Sequence, residues 1–126
     1  MINKIAKTTI YVNNQDEALK FWTEKLNFVT KIDATEGPLR WIEIAPQDSE
    51  WVTIVLYDKN LIKSQYPTAN VDYKTVILST EDLENAHNQM KANGVEVTDM
   101  ITTEYAKLFT FKDQDNNEYL LREDKF

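Results

Sequence analysis

Two stretches of this chain follow one plan. Asn14, Ala18, Trp22 and Leu26 come after a strand-like run and open a helical one, and Asp82, Ala86, Met90 and Gly94 repeat that order at the same spacing. In a chain of 126 residues, a strand–helix unit that occurs twice reads as an internal duplication. That constrains the fold more than any single motif does. Each copy has one helix with one apolar stripe, enough to cover one face of a sheet and leave the other face for something else.

The first copy begins with a strand over residues 5–12, which places Thr8, Ile10 and Val12 on one face and Lys7, Thr9 and Tyr11 on the other. Asn14 is the expected N-cap of the helix that follows, with Glu17 three residues on. Ala18, Trp22 and Leu26 form its apolar stripe, widened by Leu19 and Phe21, and Asn27 stands where a left-handed residue should end it. Strands are expected over 28–33, 39–45 and 52–57, punctuated by Gly37-Pro38 and by residues 46–50. Residues 58–72 show no period and read as the connection between copies. The second copy gives a strand over 74–79, a helix over 80–93 with Leu83, Ala86 and Met90 inward, and an Asn93-Gly94 stop. Strands over 95–99, 107–112 and 118–122 complete it, the last two joined by a turn in which Asn116-Asn117 substitutes for Asn-Gly. The fold class is therefore α+β, with two βαβββ modules in one domain over 1–126. The modules span about 1–58 and 73–124, with a linker over about 59–72.

Composition excludes several functions. The chain has no cysteine, which removes disulfides and thiolate metal sites. No apolar run approaches the roughly 20 residues a membrane-spanning helix needs, and a cytoplasmic protein is the expectation. A net charge of −7 argues against a nucleic-acid partner.

The residues that carry a family resemblance are Val12, Asn14, Ala18, Phe21, Trp22, Leu26, Asn27 and Phe28, followed by the closing turn Phe111, Asp113, Gln114, Asp115, Asn116 and Asn117. In both segments the sequence resembles the glyoxalase/bleomycin-resistance/dioxygenase (vicinal oxygen chelate) superfamily, over nearly its whole length. It departs from the pattern at Asn27 and Asn116, where the family has Gly, and at Gln114, where it has Pro. The resemblance implies a curled mixed sheet around a concave cleft, with helices on the convex side, and a homodimer. In the catalytic branches it also implies a divalent metal held by His and Glu on four strands. At the matching positions this chain has Lys7, Thr75 and Leu120, and the fourth strand offers only Thr53, Ile54, Val55 and Leu56. A first-row metal wants about three or four protein donors, so no metal and no other cofactor is expected. The single imidazole, His87, falls on the second helix and reads as structural.

The expected ligand cleft consists of Lys7, Thr9, Tyr11, Trp41, Glu43, Trp51, Thr75, Phe109, Phe111, Glu118 and Leu120. Its aromatic rings offer flat area for a planar ligand or a cation. Glu43 and Glu118 form the carboxylate pair that acid–base chemistry would use; the plainer reading makes both solvated strand residues. Three functions stay open. The first is a metal-independent binder of small molecules, such as a cationic or aromatic drug or metabolite. The second is a lyase, isomerase or dioxygenase with a non-standard site. The third is a partner-binding domain with no small ligand.

Overall fold

Strand β1, Lys7–Val12, lies parallel to β4, Thr53–Asp58, with Lys7 opposite Thr53 and Tyr11 opposite Tyr57. That parallel pairing is what a helical crossover produces, and α1, Gln15–Lys20, supplies it. In this computed structural model, which describes residues 1–47, 52–72 and 76–124, the chain divides into two compact units, Met1–Lys74 and Thr75–Phe126.

In the first unit the Asn14 side chain accepts the Glu17 N–H and caps α1 as expected. The helix then widens into a π-helical turn, Phe21–Lys25, whose Phe21 and Trp22 are both buried. Asn27 follows at φ 60°, the left-handed stop that the sequence asks for. β2 (Phe28–Glu36) and β3 (Leu39–Pro46) form an antiparallel hairpin, and the sheet order is β1-β4-β3-β2. Ile10, Val12, Ile42, Ile44, Ile54 and Leu56 are buried and share the face against which Ala18, Phe21 and Trp22 pack. Residues 58–72, expected to be irregular, contain a further helix, α2, Lys59–Gln65, capped by the Asp58 carboxylate.

The second unit repeats the order. β5 (Ile77–Ser79) lies parallel to β8 (Glu118–Asp124), and the sheet runs β5-β8-β7-β6, with β6 at Ile101–Thr102 and β7 at Ala106–Lys112. α3, Leu83–Ala92, covers one face, and Leu83 and His87 are its buried residues. The strand expected over 95–99 reduces to one bridge, Val97 to Phe111; the regular pairing falls later, at β6. The β7–β8 loop is also not a two-residue Asn116-Asn117 hairpin. Asn116 alone has positive φ, 61°, and the loop is built on the buried Asp113 carboxylate. That group accepts from the backbone N–H of Asp115 and Asn117, from Asn117 Nδ2, and from the Tyr119 hydroxyl at 2.7 Å. Burial, together with Asp113 beside it, pushes the Tyr119 hydroxyl well above its usual range, so it remains a donor.

Each module is thus a mixed, open sheet with its helix on one side: an α+β fold of two βαβββ repeats.

Candidate functional site

On the face of the first sheet away from α1, alternation aligns Lys7, Thr9 and Tyr11 of β1 with Thr53, Val55 and Tyr57 of β4 and with Trp41 and Glu43 of β3. At one end of this face the rings form a row across three strands. Tyr11 meets Tyr57 edge-on with centroids 6.0 Å apart, and Tyr57 meets Trp41 at 6.2 Å and 86°. All three are half-buried, so each keeps some surface for a ligand. The strands separate at this end: among the described residues, β3 and β4 pair at Glu43–Val55 and Ile44–Ile54 and not at Trp41–Tyr57. From α1, Gln15 Nε2 spans the opening and donates to Arg40 O at 2.8 Å and Leu56 O at 2.9 Å.

Next to the rings sits Glu43, only 4% exposed. Lys7 Nζ approaches Glu43 Oε1 at 2.7 Å and Thr53 Oγ1 donates to the same oxygen at 2.8 Å, while Trp41 Nε1 donates to Oε2 at 2.7 Å. Burial pushes the Glu43 carboxyl upward, but the bonds from Lys7, Trp41 and Thr53 and the charge of Lys7 outweigh it and hold the group below its usual value. Glu43 is therefore ionised, with both oxygens engaged. Neither a proton donor nor a solvated strand carboxylate has that arrangement. The Lys7 side chain is 43% exposed, so its ammonium closes the buried pair from the solvent side.

Of the expected cleft residues, Lys7, Thr9, Tyr11, Trp41 and Glu43 fall together on this face. Trp51 and Thr75 lie outside the described residues. Phe109 and Phe111 do not belong to an open face. They are fully buried on the α3 side, with the Phe109 ring 4.7 Å from His87 and the Phe111 ring 5.5 Å from Tyr119. α3 takes the aromatic side of β7 because that side offers the larger apolar area. His87 is buried with them and its Nε2 sits 2.8 Å from Thr98 O, a structural position. Glu118 and Leu120 are on the opposite side, where Leu120 is half-buried opposite Ile77 and Glu118 is exposed and accepts from Thr110 Oγ1 at 2.6 Å. Tyr57 and Thr53 were missed as site residues. Their signal was their parity in β4, which becomes informative only once β4 is known to pair with β1.

As a metal ligand Glu43 is poorly placed, because it already accepts three donors and lies against an ammonium, and Leu120, which stands where the family pattern has a Glu, carries no donor. Among the described residues no three His, Cys, Asp or Glu side chains gather closely enough to hold an ion. A separate surface cavity of about 400 Å³ opens at the start of α3, lined among others by Glu81, Glu84, Lys107 and Glu123. There Glu123 Oε2 accepts the Leu83 N–H, so that carboxylate serves the helix.

Two βαβββ modules of identical strand order in one chain define the paired-module class that the sequence resembles. A model of the Glyoxalase/Bleomycin resistance protein/Dioxygenase superfamily matches residues 4–121, and the chain belongs to this superfamily. It is 34% identical over 125 residues to YetH of Bacillus subtilis (strain 168), covering 98% of this chain and 100% of that one. YurT of the same strain is 35% identical over 104 residues, 75% of this chain and 78% of its own. Among solved structures, TnmS3, an antibiotic binding protein from Streptomyces sp. CB03234, superposes with a TM-score of 0.84 at 23% identity, over 98% of both chains. A superfamily member from Sphaerobacter thermophilus DSM 20745 superposes at 0.81, with 23% identity and 98% of each chain covered. At these identities the two structures speak for the fold.

Proposed function

We propose that this protein binds a small molecule, holding a planar aromatic drug or metabolite against the Tyr11–Tyr57–Trp41 face of its first module without a divalent metal. The row of three half-buried rings carries this reading. Stacking on such rings needs flat area and no chemistry, and each ring contact is worth about 0.5–1.5 kcal/mol beyond its buried area. The ionised Glu43 supports binding over proton transfer, since it has no proton to give and its lowered pKa makes it a weak base. The antibiotic binding protein TnmS3, which shares this fold, supports the same class of role. The reading takes the protein to be a cytoplasmic homodimer; light scattering on the purified chain tests the dimer.

The test of function is a thermal-shift screen of planar aromatic compounds, repeated after dialysis against a chelator. A true ligand at 100 times its Kd stabilises the fold by about 2.7 kcal/mol. The shift should survive the chelator and shrink in Trp41→Ala and Tyr57→Ala. An absence of shift across the screen, or a shift lost with the chelator, would refute the proposal.

A further inference from the structure

Overall acidity favours a cationic ligand, but the contacts on this face favour the opposite charge. We infer that the ligand carries an anionic oxygen, a carboxylate or phenolate on its aromatic body, and that Lys7 is the residue that selects it. The inference rests on the aromatic-face reading above and adds the chemistry of the ligand's polar end.

Lys7 and Glu43, the charges beside the rings at this end, are unequal in what they offer a newcomer. Glu43 is 4% exposed and already accepts three donors, so a cationic ligand would find its oxygens taken and its surface covered. Lys7 is 43% exposed and, among the described residues, makes one ion pair. An ammonium has three donor directions, and the pair with Glu43 uses one of them. At the Glu43 end of the row of rings the charge within reach of a ligand is therefore positive, although Glu36 shares this face at the hairpin end and the chain as a whole carries −7. Distance also fits. The row containing Glu43 is one side-chain repeat, about 7 Å, from the row of rings, and the Lys7 ammonium reaches into it. A ligand of two or three fused rings with an acid group at one end spans that gap.

The experiment compares three matched probes on the full chain by isothermal titration: naphthalene-2-carboxylate, the neutral 2-naphthamide and the cationic 2-naphthylmethylammonium. The carboxylate should bind roughly tenfold more tightly than the amide, as one charge-assisted hydrogen bond predicts, with the ammonium weakest. Lys7→Gln should erase the carboxylate's advantage over the amide. Glu43→Gln, which keeps the side chain's shape and frees Lys7 from its partner, should increase the advantage; it also decides the matter should Lys7→Gln fail to fold. Equal binding of all three probes would overturn the role of Lys7 and leave the stacking face intact. A preference for the cation, or a carboxylate preference that persists in Lys7→Gln, would overturn it too. If no probe binds to any degree, the stacking reading falls and this inference falls with it.

Discussion

A buried carboxylate persists in a sheet face only if its charge is matched, and Glu43 is matched by three donors, one each on β1, β4 and its own β3. Because its folded pKa is held below the unfolded value near 4.3, it contributes stability that is fully present above that value and drains away as pH falls through the folded one. Acid unfolding should therefore be steeper between about pH 5 and 3 in the native protein than in Glu43→Gln, which lacks the titrating group. Parallel pH profiles for the two, by urea denaturation, would mean the ion pair contributes nothing measurable. That Lys7 shares a side with Tyr11, and Trp41 with Glu43, was readable from alternation within β1 and β3. That Lys7 and Glu43 meet was not, because the contact reaches past the intervening β4, and strand order is absent from a period of two.

The elements that were legible are those whose signal is local. Asn14 and Asp82 cap their helices, and Asn27 and Gly94 follow them with positive φ. α2 was invisible because none of its residues is buried, so Leu61 and Ile62 carry no period that a core would impose. Phe109 and Phe111 were assigned the wrong face for a related reason: alternation says which residues share a side, and only packing decides which side the helix takes. The β7–β8 loop shows a third limit. Its shape looked like a matter of turn residues, yet four hydrogen bonds converge on Asp113. Asp113→Ala should therefore cost about 3 kcal/mol by chemical denaturation, since it strands a buried tyrosine hydroxyl and loop N–H groups. Asn116→Ala should cost only about 1 kcal/mol, the strain of one left-handed residue, and Asn116→Gly close to nothing. If Asn116→Ala proved the costlier of the two, the turn residue would be the organiser after all.

At the scale of the molecule, the two modules share strand order but not surface chemistry. Tyr11 and Tyr57 are register partners in the first; Ser79 and Arg122 hold the corresponding places in the second, and Ile77 and Leu120 stand where the first has Thr9 and Val55. Duplication supplied the scaffold twice, and divergence left the aromatic row on one copy. Under the proposal above, a ligand for that face would approach a body with net charge −7 and meet the exposed ammonium of Lys7. These act over different ranges. The long-range field is repulsive to an anion and is screened within about 8 Å at physiological salt, whereas a contact with Lys7 persists at hydrogen-bond distance. Added salt should therefore speed the approach more than it weakens the contact. Stopped-flow tryptophan fluorescence should show the association rate of naphthalene-2-carboxylate rising roughly threefold between low and physiological ionic strength, with 2-naphthamide unchanged. A carboxylate rate that falls with salt would mean the field at this face is already positive at long range, so that steering as well as contact selects the anion.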